Sequence, residues 1–452
     1  MDALILAAGD GTRLSPLTQN TPKVMIKIYG IPILERILHV LKKVGVKEVI
    51  MVIGYKGEVI QKYFGDKWNE MKIVYKKTDW YEDGILKSVI KAKDTIKKRF
   101  ILLCGDTIPN ENSLMIALET QGDVVISVRN VSDDTMVAYV LDEGIVENVE
   151  MKEDTKKFNR TVAGISVTEP VFFEAVEDCI ANNKFDRSDA IKWMIEKGYK
   201  VNSFDVSNET ILEIDDFKDI KKAKKVIFKN AVETRIKKPN LFKKLFNFPI
   251  SIPLTKLLVR TNLTPNQITI LSLLLFIIAG LLFSLKHFTL GGIICYLGAM
   301  LDAVDGKISR LKFKGSLLGK FIDSMSDRLC ELSVVMGLTC GIYFSTNNYL
   351  IFLLGLSGIF FTMGRFYSQG LYLEFMKERI HSSIWKTSTG TKLVKLANRD
   401  LIFFIVLISC LINYPVIGLG YMTFSALLAF SIRTFQTLKT LGFMKLENKV
   451  TS

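Results

Sequence analysis

Hydrophobic and polar positions follow different patterns in the two halves of the chain. Up to about residue 245, short apolar runs alternate with amphipathic helical segments and glycine-rich turns. The clearest of these segments are predicted strands at Ala3–Ala7, Glu48–Ile53 and Phe100–Leu103 and predicted helices at Ile33–Val44 and Phe217–Phe228. Such alternation favours a mostly parallel, Rossmann-like sheet of the nucleotide-binding kind. We therefore predict a soluble α/β domain over residues 1–229.

The second half contains apolar runs that are long enough to cross a membrane, at ~20 residues per crossing. Six spans are predicted, at roughly 267–285, 289–307, 316–344, 348–372, 398–413 and 415–436. We therefore predict an all-α bundle of six transmembrane helices over residues 260–452. Residues 230–259 mix basic and bulky apolar side chains, which is typical of a basic amphipathic linker with a juxtamembrane helix in the interface. A solvated linker is the alternative.

The positive charge of the chain lies beside the predicted spans. The 452 residues include 60 Lys and Arg against 46 Asp and Glu, a formal net charge of +14. Basic residues cluster before the first span, after the second and fourth, and at the C-terminus, and the other connections are nearly uncharged. Because positive loops stay in the cytoplasm, we predict a cell-membrane protein with both termini and the soluble domain in the cytoplasm. The charge has no interleaved aromatic residues on the soluble half, so we expect no nucleic-acid partner.

Four aspartates are spaced so that they can share a site in the predicted bundle. Asp302 and Asp305 are three residues apart and Asp323 and Asp327 are four apart, so each pair lies on one helix face. Carboxylates within a membrane bundle mark a functional site by default. Oxygen ligands select Mg²⁺ or Mn²⁺. Four carboxylates leave room for two ions, which could together hold a pyrophosphate.

Residues between these aspartates favour a phosphorylated ligand. Gly306 and Gly319 lack a side chain where a helix backbone must approach a nucleotide closely. Arg310 can form two parallel hydrogen bonds to a phosphate. Lys307 and Lys314 add positive charge at the rim, so we expect a bound nucleotide at this place.

The order and spacing of these residues resemble the signature D-x-x-D-G-x-x-A-R-x8-G-x3-D-x3-D of the CDP-alcohol phosphotransferase family, with Ser309 in place of the alanine. The resemblance implies a six-span, usually dimeric enzyme. Such an enzyme transfers a substituted phosphate from a CDP-alcohol to an acceptor hydroxyl and releases CMP. The resemblance also implies that Asp302, Asp305 and Asp323 bind metal, and that Asp327 is both a ligand and the general base.

A second phosphate-binding pattern follows the first predicted strand. There the turn Ala8-Gly9-Asp10-Gly11-Thr12-Arg13 is rich in small residues, so its backbone N–H groups can wrap a triphosphate. The turn matches neither a P-loop nor a dinucleotide-binding G-x-G-x-x-G. With Pro16-Leu17-Thr18 and Pro22-Lys23, it resembles the sugar-1-phosphate nucleotidyltransferases over about the first 220 residues.

This resemblance implies a nucleotide site at the N-terminus. Gly9, Gly11 and Arg13 would hold a nucleoside triphosphate. Lys23 would stabilise charge on the α-phosphate under attack, so that Arg13 and Lys23 are the catalytic cations. The segment from Gly84 to Ser88 would read the base.

The same resemblance implies a metal site on the soluble half. Asp106 would bind Mg²⁺, and Asp215 would supply the second carboxylate. Glu213 stands where the family has its first aspartate, so the sequence leaves open which of Glu213 and Asp215 is the ligand. A helix cap shared with Asp216 is the alternative role for Asp215.

The two halves are linked by one intermediate, because a CDP-alcohol made by the first can be used by the second. The chain resembles fusions of a CTP:inositol-1-phosphate cytidylyltransferase with a di-myo-inositol-phosphate phosphate synthase. Such fusions make CDP-inositol from CTP and inositol-1-phosphate, then transfer phosphoinositol to another inositol-1-phosphate. The phosphate of that acceptor needs cations. Candidates are Arg365, Lys386, Lys392 and Arg399, although the positive-inside pattern explains each equally well.

Three other interpretations stay open. The acceptor can be a lipid alcohol, which would make the protein a phospholipid headgroup enzyme. The soluble half can be a degenerate module that only senses or docks, which the intact Gly11-Thr12-Arg13 and Lys23 disfavour. The bundle can be a cation carrier with a nucleotide-binding regulatory domain, which the position of Asp302 near the cytoplasmic end of its span disfavours.

Overall fold

The chain divides into two units in the computed structural model, Met1–Asn230 and Ala231–Ser452. The structure describes residues 1–79, 84–130, 137–142, 144–151, 160–207, 211–233, 247–375 and 398–450. Residues 234–246, in the predicted amphipathic linker, lie outside the described residues.

The first unit is built on strands that occur throughout its described length. They are β1 (Asp2–Ala7), β2 (Lys27–Ile28), β3 (Ile31–Pro32), β4 (Glu48–Ile53), β5 (Lys67–Trp68), β6 (Met71–Lys77), β7 (Phe100–Cys104), β8 (Thr107–Ile108), β9 (Val124–Asn130), β10 (Val137–Asp142), β11 (Ile145–Met151), β12 (Arg160–Thr168), β13 (Val201–Asp205) and β14 (Leu212–Glu213). The described residues of the main sheet run in the order β10-β11-β13-β9-β12-β7-β1-β4-β6-β5.

The predicted strands form the parallel centre of this sheet. Strand β1 pairs in parallel with β4 on one side and with β7 on the other, and β12 runs antiparallel beside β7. The carboxyl ends of parallel neighbours meet at the same edge, where ligands bind in sheets of this kind. The loops that follow β1 and β7 therefore converge. The predicted α/β nucleotide-binding fold is confirmed.

Helices cover both faces of the sheet. They are α1 (Ile33–Lys43), α2 (Gly57–Phe64), α3 (Ile85–Val89), α4 (Glu111–Glu119), α5 (Phe172–Ala181), α6 (Arg187–Glu196) and α7 (Phe217–Glu233). In β1, Ile5 belongs to a core that includes residues of α1, α2, α4 and α7, whereas Leu4 belongs to a second core with residues of α3, α5 and α6. Strands that are buried on both faces are near-continuous apolar runs, which is why the hydrophobic pattern located them.

The second unit is helical in its described part. Its helices are α8 (Phe248–Leu258), α9 (Pro265–Ser284), α10 (Phe288–Leu311), α11 (Leu317–Thr346), α12 (Tyr349–Phe375), α13 (Arg399–Leu411) and α14 (Pro415–Val450). Five of them, α9 to α12 and α14, are long and apolar enough to cross a membrane. The predicted fifth span falls on α13, whose 13 described residues are fewer than the ~20 of a full crossing. The helical membrane unit is confirmed, and the count of six spans stays a prediction.

Close packing of α9 against α11 sets the frame of this unit. A side chain at Gly337 would collide with the backbone oxygen of Gly280, and one at Gly341 with that of Phe283. The two backbones therefore touch directly. Helix α9 also packs against α10, so it holds α10 and α11, the two helices that carry the four aspartates.

Candidate active sites

The turn after β1 is shaped by one glycine with a left-handed backbone. Gly11 has φ +68°, and a Cβ there would lie 2.7 Å from the Cβ of Lys23. The hydroxyl of Thr18 donates to the backbone oxygen of Gly11 at 2.9 Å. The N–H of Thr12 donates to Asp10 Oδ1 at 3.3 Å in an exposed contact. The absence of a side chain at Gly11 thus lets the turn pack directly on Lys23.

Lys23 joins two carboxylates that are far apart in the sequence. Its Nζ donates to Asp106 Oδ2 at 2.7 Å and to Asp215 Oδ1 at 2.8 Å. Asp106 follows β7, and the antiparallel pair β8–β14 brings Asp215 beside it, because the N–H of Ile214 donates to the backbone oxygen of Asp106 at 3.2 Å. The guanidinium of Arg13 lies 3.8 Å from Asp215 Oδ1.

The structure distinguishes between the two acidic residues that the sequence left open. Glu213 pairs with Arg129 at 2.6 Å, whereas Asp215 shares Lys23 with Asp106. The helix-capping role belongs to Asp216, whose side chain accepts hydrogen bonds from the backbone at the start of α7. Asp215 is therefore the residue placed to act with Asp106.

Electrostatic coupling within this group is strong. Burial lowers the pKa of Lys23, but the charges and hydrogen bonds of Asp106 and Asp215 outweigh burial and hold that pKa above its usual value. Burial raises the pKa of Asp215, but Lys23 and then Arg13 hold it below its usual range. The site therefore presents a charged ammonium between carboxylates whose oxygen atoms suit Mg²⁺.

The other predicted nucleotide-binding residues lie at strand and helix ends. The backbone oxygen of Ala8 accepts from the N–H of Tyr55 at 3.1 Å, and Gly9 has open space around its α-carbon. Gly84 begins α3 with φ +100°, where a side chain would collide with Phe185, and Ser88 is buried in α3. The structure thus brings together Arg13, Lys23, Asp106 and Asp215, whereas it places Gly84 and Ser88 on a separate element.

Three of the four membrane aspartates form one cluster. Each of Asp302, Asp305 and Asp323 offers a carboxylate oxygen within 4.8 Å of the other two. Asp302 and Asp305 come from α10 and Asp323 from α11. Oxygen donors without a thiolate or imidazole fit Mg²⁺ or Mn²⁺. The residues present therefore fit the predicted metal.

The fourth aspartate takes a different partner. Asp327 is hydrogen-bonded to Nη1 of Arg399, and the same nitrogen lies 3.1 Å from Asp302 Oδ2. The Nε atom of Arg399 lies 3.5 Å from Glu331, which also pairs with Arg365. The arginine predicted to bind the acceptor phosphate thus connects Asp302 and Asp327.

The sequence alone assigned no function to two residues of this network, Glu331 and Thr269. Glu331 follows Asp327 by four residues and so lies on the same helix face, a spacing that was available as a signal. Thr269 on α9 donates to Asp305 Oδ2 at 2.5 Å and also lies 3.1 Å from the backbone oxygen of Pro265. The contact between Thr269 and Asp305 joins helices and leaves no pattern in the sequence.

The glycines and cations of the membrane signature have varied surroundings. A Cβ at Gly319 would lie 2.9 Å from Asn266 Oδ1, whereas one at Gly306 would meet only Arg310. Nε of Arg310 donates to the backbone oxygen of Ala231 at 2.7 Å, and Lys307 donates to Ser251 at 2.6 Å.

Of the other predicted acceptor-site cations, Arg365 lies beside Glu331 and over the ring of Phe366. Lys386 and Lys392 lie outside the described residues.

Comparison with known proteins identifies a family for each part of the chain. Residues 2–206 match the family described as Nucleotidyl transferase. Residues 262–432 match the family described as CDP-alcohol phosphatidyltransferase. The chain therefore carries a nucleotidyltransferase domain and a CDP-alcohol phosphotransferase domain, and its apolar helices make it a membrane protein.

Some relatives match across both parts. The chain is 29% identical over 343 residues to the bifunctional IPC transferase and DIPP synthase of Aquifex aeolicus, covering 74% of this chain and 76% of the relative. It is 26% identical over 365 residues to the protein of that name from Thermococcus kodakarensis, covering 79% of each. A third relative, the bifunctional protein GlmU of Methanocaldococcus jannaschii, is 34% identical over 212 residues, 45% of this chain and 50% of the relative.

Proposed function

We propose that this protein makes CDP-inositol from CTP and inositol-1-phosphate, then transfers phosphoinositol from CDP-inositol to a second inositol-1-phosphate. The products of the second step are di-myo-inositol phosphate phosphate and CMP. The observation that carries the proposal is the presence of two sites in one chain. In the soluble site Lys23 lies between two carboxylates, and in the membrane site three aspartates form a cluster. Relatives that span both parts bear a bifunctional name, which supports the same pairing.

The soluble site suits nucleotidyl transfer. In the proposed step, a phosphate oxygen of inositol-1-phosphate attacks the α-phosphorus of CTP, and the bond to the β-phosphate breaks to release pyrophosphate. Lys23 places its ammonium at the developing charge, and Arg13, whose side chain is 76% exposed, can reach the triphosphate. Asp106 and Asp215 would hold Mg²⁺, which supplies positive charge to the phosphates when bound.

The membrane site suits transfer to an alcohol. In the proposed step, an acceptor hydroxyl attacks the β-phosphorus of CDP-inositol, and CMP leaves with the oxygen that joined the two phosphates. Asp327 takes the proton of the hydroxyl as general base. Asp302, Asp305 and Asp323 would hold Mg²⁺, with Asp327 completing a site for two ions; the metal supplies charge that stabilises the leaving CMP.

Arginines near Asp327 support a phosphorylated acceptor over a lipid alcohol. Arg399 and Arg365 are both held by Glu331, so two guanidinium groups lie within one buried network. A lipid hydroxyl needs no such cations, whereas an acceptor monoester needs them to offset its charge. We propose that Arg365 and Arg399 bind the acceptor phosphate, together with Lys386 and Lys392.

The same proposal includes an orientation in the membrane. Six crossings, with α13 as part of the fifth, return the C-terminus to the side of the N-terminus. Basic residues at that side support a cytoplasmic location for both termini and the soluble domain.

We place the domain boundaries at 1–229, 230–259 and 260–452, and propose a homodimer formed by the membrane domain. Cysteine accessibility in vesicles and the mass of the detergent complex test the orientation and the dimer.

A reconstituted reaction tests the two steps separately. Purified full-length protein in detergent receives CTP, Mg²⁺ and inositol-1-phosphate without lipid, and pyrophosphate and CMP are followed. We expect both products from the wild type and pyrophosphate without CMP from Asp327→Asn. Lys23→Met should give neither product until CDP-inositol is added, when CMP should appear.

Other outcomes contradict specific parts of the proposal. Pyrophosphate without CMP from the wild type, with CMP restored by a lipid alcohol, would support the lipid acceptor. Neither product from the wild type would defeat the inositol assignment. Normal CMP release by Asp327→Asn, with unchanged binding of CDP-inositol, would remove Asp327 as the base.

A further inference from the structure

The turn that follows β4 lies directly against the turn that follows β1. The two strands are parallel neighbours, so both turns leave the same edge of the sheet. A Cβ at Gly54 would lie 2.9 Å from the backbone oxygen of Ala8, and the N–H of Tyr55 donates to that oxygen at 3.1 Å. Residues 54–57 therefore touch the start of residues 8–23, which we call the nucleotide loop.

Two side chains of the turn after β4 hold a later part of the nucleotide loop. The hydroxyl of Tyr55 donates to the backbone oxygen of Gln19 at 3.0 Å and lies 3.2 Å from that of Thr18. The ammonium of Lys56 donates to the same oxygen of Gln19 at 2.5 Å and to Asn20 Oδ1 at 3.1 Å. One carbonyl thus accepts hydrogen bonds from both side chains, and this part of the loop is fixed from outside.

Thr18 connects these contacts to the residues predicted to bind phosphate. It is only 3% exposed, and its hydroxyl donates to the backbone oxygen of Gly11 at 2.9 Å. Its methyl carbon lies 3.1 Å from the place where Gly11 would carry a Cβ, and that place is 2.7 Å from the Cβ of Lys23. Because these three residues pack in one group, a shift of Thr18 moves Gly11 relative to the ammonium of Lys23.

The backbone of Lys56 has a conformation that lysine rarely adopts. Its φ of +49° and ψ of +37° are left-handed, which costs free energy in any residue with a Cβ. Glycine would adopt the same conformation without that cost. Other residues persist there where the surrounding structure holds them, and such positions cluster at functional sites. The contacts of its ammonium with the nucleotide loop are therefore the structural reason for a lysine at this position.

We propose that Tyr55 and Lys56 are positioning residues for the nucleoside triphosphate, and that they act through the nucleotide loop. This inference rests on the proposed function, in which the loop binds CTP. A loop that is held in its binding form before the nucleotide arrives loses less conformational entropy on binding. The backbone around Gly11 and the ammonium of Lys23 are then in place for the phosphates together.

Steady-state kinetics of pyrophosphate release separates positioning from a general effect on the fold. Tyr55→Phe removes one neutral hydrogen bond, so we expect the KM for CTP to rise about 2- to 10-fold and the KM for inositol-1-phosphate to stay unchanged. Tyr75→Phe is the matched control and should behave as the wild type, because the hydroxyl of Tyr75 donates instead to the backbone oxygen of Gly65 at 2.7 Å. An unchanged KM for CTP in Tyr55→Phe, or an equal rise in Tyr75→Phe, would overturn the proposal.

Substitutions of Lys56 separate nucleotide binding from stability. Lys56→Gly removes the ammonium but also the cost of the left-handed backbone, so the melting temperature of the full-length protein should not fall. The KM for CTP should nevertheless rise about 2- to 10-fold, as for a lost hydrogen bond. Lys56→Arg keeps a cationic donor and should keep part of the affinity. A lower melting temperature of Lys56→Gly with an unchanged KM for CTP would show that this lysine only stabilises the fold, and would contradict the proposal.

Hydrogen exchange tests the nucleotide loop without any substrate. Backbone hydrogen bonds within the loop, such as that from Leu14 to the oxygen of Gly11 at 2.9 Å, protect its N–H groups until the loop opens. In the full-length protein in detergent, peptides from the loop should exchange faster in Tyr55→Phe and Lys56→Gly than in the wild type, and equally in Tyr75→Phe. If the wild type releases no pyrophosphate from CTP and inositol-1-phosphate, the proposed function fails, and this measurement alone decides whether the two side chains position the loop. Equal exchange in the wild type and in both loop variants would refute it.

Discussion

Removing one hydroxyl from α9 should weaken the membrane metal site without disturbing the bundle. The hydroxyl of Thr269 has one hydrogen and two possible acceptors. Asp305 Oδ2 lies at 2.5 Å and the backbone oxygen of Pro265 at 3.1 Å, so the shorter contact takes the hydrogen. Valine keeps the branched shape of threonine and loses the donor. Thr269→Val therefore frees one oxygen of Asp305 to turn away from Asp302 and Asp323.

The size of the effect follows from the kind of bond that is lost. A hydrogen bond to a charged group is worth about 1.5–3 kcal/mol. Loss of a group that orients a metal ligand typically costs about 10- to 100-fold in metal affinity, which is about 1.4–2.8 kcal/mol. The two estimates agree. We expect the Kd for Mn²⁺ of full-length Thr269→Val in detergent, measured by electron paramagnetic resonance, to rise 10- to 100-fold by the same reasoning.

Two variants show whether the hydroxyl or the substitution is responsible. Thr269→Ser keeps the hydroxyl and should retain the Mn²⁺ affinity of the wild type. Thr339 is a second buried threonine of the bundle, and its hydroxyl donates to the backbone oxygen of Val335 at 2.6 Å. Thr339→Val should therefore leave the Mn²⁺ affinity unchanged. The reasoning is refuted if Thr269→Val binds Mn²⁺ as the wild type does, or if Thr339→Val weakens binding equally.

Three further predictions concern single features. Asp215→Asn should slow pyrophosphate release about 100-fold or more, whereas Glu213→Gln should cost less than about tenfold, because Asp215 contacts Lys23 and Glu213 pairs with Arg129 instead; equal losses would contradict the geometry. Gly11→Ala should raise the KM for CTP and slow pyrophosphate release, because its methyl group would press on that lysine at 2.7 Å; normal kinetics would show that the turn adapts. Arg365→Met should destabilise the bundle by up to about 3–5 kcal/mol, the cost of a buried charge that loses its partner, and Arg399 at 3.5 Å from Glu331 reduces that cost. In thermal unfolding, a double variant that adds Glu331→Gln should recover part of this loss, and no recovery would disprove the coupling.

The soluble fold was predictable because its central strands are buried on both faces. Their apolar runs stand out from the charged helices, so β1, β4 and β7 appear at the predicted places. The meeting of Asp215 with Asp106 was implied by the family resemblance, but no periodic pattern in the sequence predicts it. It depends on β8 and β14, two strands of two residues each. Elements so short leave no periodic signal, which is why the sequence could not decide between Glu213 and Asp215.

In the membrane unit, local spacing was informative and partner choice was not. Spacings of three and four residues on two helices correctly indicated that Asp302, Asp305 and Asp323 could meet. The contact of Asp327 with Arg399 depends on how α13 packs, and nothing within α11 specifies it.

The direct backbone contact of α9 with α11 has a consequence for how such proteins can diversify. Because main-chain atoms meet at Gly280, Gly337 and Gly341, substitution there is forbidden on steric grounds whatever the substrate. Helices α12 and α14 pack mainly on each other, and α12 carries Arg365. Mutations can therefore accumulate on that pair, away from the contact of Arg365 with Glu331, while α9 keeps the spacing of α10 and α11, which carry the four aspartates. Substitutions on these helices can thus change which alcohol is accepted and leave the phosphotransfer chemistry unchanged.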